Sequence, residues 1–414
     1  MNSLDFAKQD LLSAGIILLT GLVGLVVAKK LKIPDIVVFL LTGIILGPYT
    51  GLLHVPAEGT MNQIILTFGA SYLLFDGGAT LRFTVLRRIW ITIVVLSTIG
   101  VLLTGAVVLG TGIVVGLPVM TALLLGATIA STDPATLVPI FKQVKIRDRV
   151  AQAVMSESAF NDAMGAIATF TVLGIALAGP HATFSVTDAL KNLLWEAGLG
   201  IIVGAAAGFL VNFLIAHEKF GFFREYLPLV TIMAVIAAYL SADGANSSGF
   251  MAVFVFGIII GNKESFGFKL NPGEQDNMQD FVDTTSLIVR MFIFILLGSQ
   301  VNFTLLAQYA VPGLIILGVF LFFARPLTVF ACALPDRRAK WTLPELLFMS
   351  WTRETGVIPA ALAGMMLGLK VPGAEVVLAL TFIAVLGSIL IQATTIRIFA
   401  KRLGLLEKEE NEFT

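Results

Sequence analysis

The chain has 414 residues, of which 57% are hydrophobic and only 13% are charged, and its mean hydropathy is +0.93. Soluble domains carry about 25% charged residues, so this composition excludes an ordinary soluble protein and predicts a polytopic protein embedded in a lipid bilayer. Basic and acidic residues number 27 each, which leaves no excess of the kind that nucleic-acid binding requires. No nucleic-acid partner is expected.

Apolar segments long enough to cross a bilayer follow one another along almost the whole chain. A span needs about 20 mainly apolar residues, and charge clusters and Gly/Pro/Asn stretches divide the sequence into thirteen such segments. Their approximate limits are 11–29, 34–52, 61–81, 89–115, 119–141, 150–178, 189–216, 225–241, 246–262, 278–299, 303–334, 342–369 and 373–399. The sequence therefore predicts an all-α membrane protein with thirteen transmembrane helices.

Basic residues predict the orientation of these spans. Twenty-one of the 27 lysines and arginines fall on one side when the spans alternate, and short basic loops mark the cytoplasmic side. The N-terminus is then expected outside, and the short tail over 401–414 inside. Three arginines, Arg290, Arg325 and Arg353, lie within spans instead.

The loops between the predicted spans leave no room for a soluble nucleotide-binding domain, so neither a nucleotide nor another cofactor is expected. The run GLGIIVGAAAG lies within the seventh span and lacks the spacing of a dinucleotide-binding loop. Its glycines Gly200, Gly204 and Gly208 share one helix face and predict close helix packing. A membrane-embedded hydrolase is disfavoured because no span contains a histidine that could serve Ser156 or Ser158 as a base, and the chain is not expected to be an enzyme.

Two spans carry polar interruptions that predict broken helices. In the fifth, Asp133-Pro134 stands in an apolar run, where proline removes a backbone donor and Ser131, Thr132 and Asp133 are able to cap freed amides. In the twelfth, SWTRETGVIPAALAG places Arg353, Glu354, Thr355 and Gly356 at comparable depth. Irregular backbone at that depth must be buried in protein or line water.

The two breaks lie seven spans apart, which suggests an internal repeat. If residues 1–178 and 223–400 form two six-helix repeats joined by a linker helix within 179–222, the odd offset inverts one repeat relative to the other. Crossed discontinuous helices in inverted repeats are typical of secondary transporters, whose ion sites lie near the bilayer midplane.

The sixth span contains the most polar stretch within the membrane, SESAFNDAMG over 156–165. Glu157 and Asn161 are four residues apart, as are Ser158 and Asp162, so each pair stacks on one helix face. Together with Thr132 and the carbonyls freed at the fifth-span break, these oxygens suit a hard cation such as Na⁺ rather than zinc or copper.

A carboxylate at this depth predicts ion exchange. Burial favours the protonated carboxyl, whereas a bound cation favours the ionised form, so one group binds a proton or a cation but not both well. That competition is the chemistry of an antiporter. Glu157 is the natural partner for Arg325 or Arg290, because an unpaired charge within a span is costly. Asp76, Asp283 and Glu196 are interpreted as capping, locally paired or interfacial residues.

STDPA at 131–135 followed by SESAFND at 156–162 resembles the NhaP-type monovalent cation:proton antiporters, which are related to animal sodium/proton exchangers. The likeness extends through ARPLTV at 324–329 to the ending SILIQATTIRIFAKRLGL. It implies that Asp162 carries the ion and the proton, with Thr132, Asp133 and Ser158 in or beside the Na⁺ site. It also implies that Glu157 pairs with Arg325.

The resemblance implies further properties. Family members form homodimers and work by an elevator-like movement of a six-helix core, and the Asn161-Asp162 pair resembles the electroneutral branch. Many relatives have Arg-Gly before the later proline of span twelve, whereas here Thr355 precedes Gly356 and Arg353-Glu354 lies upstream. The expected function is exchange of Na⁺ or Li⁺ for H⁺ across the plasma membrane, with a K⁺/H⁺ exchanger as the alternative. A cation channel is disfavoured because no filter-like repeated loop is present.

Overall fold

The computed structural model describes residues 3–132, 141, 146–178, 186–216 and 223–406. Within these ranges the regular structure is helical, and the extended pairing consists of one isolated antiparallel bridge between Ile146 and Leu406. The described chain is therefore an all-helical membrane protein without a sheet, as the composition predicts.

The helices of the first part of the chain are α1 (Ser3–Leu31), α2 (Asp35–Ile44), α3 (Thr60–Thr80), α4 (Phe83–Val114), α5 (Val119–Ile129), α6 (Asp148–Leu177) and α7 (Val186–Ala216). The second part contains α8 (Leu227–Gly244), α9 (Gly249–Gly261), α10 (Pro272–Ser299), α11 (Phe303–Gln308), α12 (Ala310–Val319), α13 (Arg325–Ala333), α14 (Leu343–Trp351), α15 (Val357–Gly368) and α16 (Ala374–Arg402). Single π-helical turns follow α2 over Ile45–Tyr49 and separate α12 from α13 over Phe320–Ala324.

Within the described ranges, eight helical stretches are long and apolar enough to cross a membrane. Four shorter apolar helices lie over Asp35–Tyr49, Val119–Ile129, Gly249–Gly261 and Val357–Gly368. Each of the thirteen segments identified in the sequence contains helix, while the count of thirteen crossings stays a prediction.

The helices differ in how much of their surface faces lipid. Only 28% of the most apolar window of α1 is buried inside the molecule, against 61% for α16. Helix α1 therefore lies at the periphery of the molecule and α16 in its interior.

Glycines bring helices α3 and α7 close to the two sides of α9. A Cβ added to Gly78 of α3 would stand 2.2 Å from the Phe254 carbonyl oxygen, and one added to Gly204 of α7 would stand 2.2 Å from that of Ala252. Small residues allow such backbone approach in membranes, where it supplies van der Waals contact. The packing role predicted for the α7 glycines is confirmed, since all three face α9: Gly200, Gly204 and Gly208.

The predicted break in the fifth span begins where α5 ends, at Ile129. Ala130, Ser131 and Thr132 are not helical, and Asp133-Pro134 lies outside the described residues. The predicted break in the twelfth span is present, because residues 352–356 separate α14 from α15 without helical structure. The eleventh predicted span is more irregular than the sequence suggests, with a π-helical turn directly before Arg325.

Asp336, in the loop between α13 and α14, joins that loop to the start of α4. Its Oδ2 accepts hydrogen bonds from the Thr92 hydroxyl (2.7 Å) and amide (3.2 Å), and its Oδ1 accepts from the amides of Arg338 and Ala339. Burial alone would raise the pKa of this carboxyl, but the hydrogen bonds outweigh burial and lower the pKa.

Two arginines at the start of α6 connect that helix to neighbouring segments at the same end of the molecule. The Arg149 guanidinium lies 4.3 Å from the Trp341 ring centroid and donates to the Ala339 carbonyl. The Arg147 amide donates to the Leu405 carbonyl at 3.0 Å. The ends of α4, α6 and α16 and the loop before α14 are therefore connected as one cluster.

Replacing Asp336 with asparagine removes one acceptor from this cluster and is expected to destabilise the protein by about 1–3 kcal/mol. Because the folded pKa is lowered, the carboxylate contributes fully above its ordinary pKa of 3.8 and loses that contribution as the pH falls through the folded value. The apparent Tm difference between wild type and Asp336→Asn should thus be constant near neutral pH and shrink below 3.8. The exposed Asp276→Asn is the control; a pH-independent difference for Asp336→Asn would contradict the assignment.

Candidate functional site

Helix α6 carries four polar side chains into the interior. Glu157, Ser158, Asn161 and Asp162 are 2%, 2%, 1% and 8% exposed, respectively. Their four-residue spacing places them on two neighbouring stripes of the helix. The structure therefore brings the predicted polar face of the sixth span into contact with other helices rather than with lipid or water.

Glu157 is paired with Arg325 of α13. The guanidinium Nη1 lies 2.5 Å from Oε1 and Nη2 lies 2.7 Å from Oε2, and Arg325 Nε donates to the Met349 carbonyl at 2.9 Å. Arg325 is 1% exposed. A bidentate arrangement is the strongest that arginine and a carboxylate form, and it neutralises both charges. Of the two partners left open by the sequence, the structure selects Arg325, since Glu157 and Arg290 form no ion pair in the described chain.

Thr132, at the end of the described part of the fifth-span break, is bonded to both stripes of α6. Its amide donates to Asn161 Oδ1 at 3.0 Å, and its hydroxyl accepts from Asn161 Nδ2 at 2.7 Å. The Ser158 hydroxyl donates to the Thr132 carbonyl at 2.7 Å. Asn161 thus accepts from the backbone amide of Thr132 and donates to its side-chain hydroxyl, a combination that a carboxylate at that position cannot supply.

Asp162 lies one turn beyond Ser158 on the same stripe. The break approaches α6 closely here, because a Cβ added to Gly165 would stand 2.8 Å from the Ser131 Cβ. The 8% exposure of Asp162 is the largest among the four polar residues of this face. Asp133, which the sequence also assigns to this site, lies outside the described residues.

Arg353 connects the two breaks. From the irregular stretch after α14, its guanidinium donates to the Ala130 carbonyl just after α5 and to the Thr104 hydroxyl at 2.9 Å. It also lies 5.0 Å from the Phe320 ring centroid. The carbonyls at a helix C-terminus carry partial negative charge, so a buried cation at this position stabilises the interrupted end of α5.

The remaining residues of the second break are enclosed as well. Glu354 is 1% exposed and Thr355 is fully buried, and the Thr355 amide donates to the Ser388 hydroxyl of α16 at 3.1 Å. Gly356 immediately precedes α15. This stretch therefore belongs to the molecule's interior, as the sequence predicts.

Several contacts of the site are not predicted by the sequence. Thr104 and Ser388 look like ordinary hydroxyls within apolar helices, and the acceptors on Ala130 and Met349 are backbone carbonyls. The one usable signal is Arg325-Pro326, because a proline directly after an intramembrane arginine favours an irregular turn before it.

Two other acidic residues within spans accept hydrogen bonds from side chains. Asp76 of α3 accepts a hydrogen bond from the Ser286 hydroxyl of α10 at 2.7 Å, and Asp283 accepts from Gln279 one turn away at 2.8 Å. The Asp283 contact fits the expected local pairing, whereas Asp76 bonds to another helix.

A sequence model of the family described as "Sodium/hydrogen exchanger, transmembrane" matches residues 15–402. The chain belongs to this family. It is thus a multi-pass membrane protein of a family of monovalent cation/proton antiporters. Within it, Na(+)/H(+) antiporter 1 of Methanocaldococcus jannaschii is 34% identical over 364 residues, which cover 84% of this chain and 81% of that protein.

Further exchanger relatives include a potassium transporter and a solved structure. The K(+)/H(+) antiporter NhaP of Alkalimonas amylolytica is 28% identical over 99% of this chain and 69% of its own length. A structure of the sodium proton antiporter MjNhaP1 from M. jannaschii at pH 8 has a TM-score of 0.84 at 29% identity, covering 95% of this chain and 99% of that one.

Removing the carboxylate of Glu157 is expected to destabilise this exchanger-family protein strongly. Glu157→Gln leaves the buried Arg325 without its counterion, and breaking a buried pair on one side costs about 3–5 kcal/mol. Thermal unfolding in detergent measures the loss. Glu274→Gln is the matched control, because the Arg224–Glu274 pair is partly exposed (33% and 28%) and such pairs contribute only about 0.2–1 kcal/mol. Equal melting of the two variants would refute the structural role of Glu157.

Proposed function

We propose that the protein exchanges Na⁺ for H⁺ across the plasma membrane, with Asp162 as the single carboxylate for which cation and proton compete. The observation that carries the proposal is that the polar residues of α6 have different environments and therefore different roles. Glu157 is held by Arg325 and Asn161 does not titrate, so the exchanging role on this face falls to Asp162. Exchange of one cation for one proton at one carboxylate is electroneutral.

Ser158 and Thr132, which share the buried polar region of α6 with Asp162, offer oxygens suited to the substrate cation. The Ser158 and Thr132 hydroxyls lie 3.0 Å apart, and the Thr132 carbonyl lies against Ser158. Hydroxyl, carbonyl and carboxylate oxygens are the ligands that hard cations prefer. We assign Asp162, Ser158 and Thr132 to the Na⁺ site, with Asp133 beside it on the strength of the family resemblance and Asn161 holding Thr132 in place.

Alternating access at this site is proposed to follow the family architecture. The described break after α14 and the end of α5 at Ile129, bridged by Arg353, support crossed discontinuous helices within two inverted repeats, residues 1–178 and 223–400, joined through 179–222. The proposal includes thirteen crossings, an external N-terminus, a cytoplasmic C-terminus over 401–414, a homodimer and an elevator-like movement of one six-helix body.

Potassium is the second candidate substrate. The relative from A. amylolytica is named a K⁺/H⁺ antiporter, and K⁺ is bound by the same kinds of oxygen as Na⁺. Proton flux measured with Li⁺, Na⁺ and K⁺ in turn distinguishes the two: a response to Na⁺ or Li⁺ but not to K⁺ supports the first candidate, and a response to K⁺ alone supports the second.

Asp162→Asn should abolish cation-dependent dissipation of a pH gradient in proteoliposomes, reducing it to the rate of protein-free vesicles, because an amide neither exchanges a proton nor attracts a cation as a carboxylate does. Asp276→Asn, at an exposed position, is the matched control and should transport normally. Exchange retained by a well-folded Asp162→Asn variant would remove Asp162 from the mechanism.

A clamped membrane potential should not alter the exchange rate at fixed ion gradients. Each net charge moved across the membrane would couple to the potential by about 2.3 kcal/mol per 100 mV, so an electrogenic cycle would respond steeply. Vesicles that contain the Asp162→Asn variant give the rate of passive ion leak, which is subtracted from the measured exchange rate. A rate that rises or falls consistently with potential would rule out one-for-one exchange.

A further inference from the structure

Lys263 is a buried cation at the end of the molecule where α3 and α4 meet. It begins the short 3-10 turn Lys263–Phe266 after α9 and is only 6% exposed. Its ammonium makes no hydrogen bond or ion pair with the residues that the structure describes. Burial lowers the pKa of Lys263, an effect that the neighbouring Glu264 carboxylate opposes and Arg82 reinforces. A cation whose side chain is largely withdrawn from water is stabilised by an anion beside it.

The surroundings of Lys263 are held firmly. The Arg82 guanidinium donates to the Gly261 carbonyl through Nη1 at 3.1 Å, which leaves its other N–H groups available. Asn262 donates to the Leu81 carbonyl and accepts from the Phe83 amide, at 2.8 and 2.9 Å. The link between α3 and α4 is thereby fixed against the end of α9, and two cations are brought together in a rigid frame.

An aromatic surface adjoins these cations. Phe266 makes edge-to-face contacts with Phe83 and with Phe209 of α7, at centroid distances of 5.8 and 4.9 Å. Phe209 and Phe266 are 42% and 37% exposed. On α4, Trp90 is 50% exposed, close to the exposed basic residues Arg87 and Arg88. Aromatic and basic residues in this combination are typical of the boundary between acyl chains and headgroups.

We propose that Lys263 and Arg82 bind the phosphate of an anionic phospholipid headgroup, with Phe209 and Phe266 lying against its acyl chains. Both cations attract the single negative charge of the phosphodiester, and the exposed rings favour a lipid over free phosphate as the occupant. Glu264 is exposed, so water weakens the attraction between its carboxylate and the two cations. The site is distinct from the polar face of α6, so the lipid-binding proposal does not depend on the transport proposal.

Binding is tested with the full-length protein, delipidated in detergent. Dioleoylphosphatidylglycerol is titrated while thermal stability and bound lipid by native mass spectrometry are followed, with dioleoylphosphatidylcholine as the zwitterionic comparison. Phosphatidylglycerol should bind and raise the Tm more than phosphatidylcholine. Lys263→Gln should weaken its binding roughly fivefold or more, whereas Lys263→Arg should retain it. Lys269→Gln, at an exposed lysine in the same loop, is the matched control and should bind as wild type does.

Three results would overturn the proposal. Phosphatidylglycerol binding that is unchanged in Lys263→Gln, or reduced equally by Lys269→Gln, would show that general surface charge is responsible. A Lys263-dependent shift of the same size with inorganic phosphate, at matched ionic strength, would assign the site to free phosphate instead of lipid. Because Lys263→Gln alters a buried side chain, each shift is measured relative to the lipid-free Tm of the same variant. Arg82→Gln supplies a second variant that should also weaken lipid binding.

Discussion

The ion pair between Glu157 and Arg325 places strict demands on the helices around it. Removing two charges from water costs several kcal/mol for each ion, and only close geometry with further hydrogen bonds offsets that cost. Here both guanidinium arms meet the carboxylate, and the third donor, Nε, reaches the Met349 carbonyl. Helices α6, α13 and α14 are therefore joined at one point. The π-helical turn lies directly before Arg325, so it affects the direction from which the arginine side chain reaches Glu157.

Interrupted helices inside the membrane also carry a free-energy cost, which contacts in the protein interior must offset. Inside a bilayer, released amides and carbonyls have no water to bind, so each needs a partner within the protein. Asn161 satisfies the Thr132 amide, Ser158 binds the Thr132 carbonyl, and Arg353 binds the Ala130 carbonyl. The side chains next to Asp162 thus hold the backbone as well as forming a polar surface. A cation that entered between Thr132 and Ser158 would replace hydrogen bonds that already exist, so its binding and the geometry of the break are coupled.

Much of this arrangement could be predicted from local sequence, because helical spacing is a local property. The four-residue intervals between Glu157 and Asn161 and between Ser158 and Asp162 predict one polar face, and the structure buries that face. The choice between Arg325 and Arg290 depends on three-dimensional position, which no spacing rule supplies for helices far apart in the chain. The contact of Arg353 with Ala130 was equally out of reach, because its acceptor is a backbone carbonyl and every residue has one.

The glycine contacts between α3 and α9 have a consequence for how this sequence tolerates change. At Gly257 and Gly261 an added Cβ would stand 2.1 Å from the carbonyl oxygens of Phe75 and Ala79. Alanine favours a helix over glycine by about 1 kcal/mol, yet at these positions it would force two backbones apart. Helix propensity therefore favours alanine at these positions, whereas the close packing of the two helices favours glycine, and the packing effect is the larger one. Chains that diverge from this one are free to vary their lipid-facing leucines and valines, while any change at these two glycines has to be matched by a shift of the neighbouring helix.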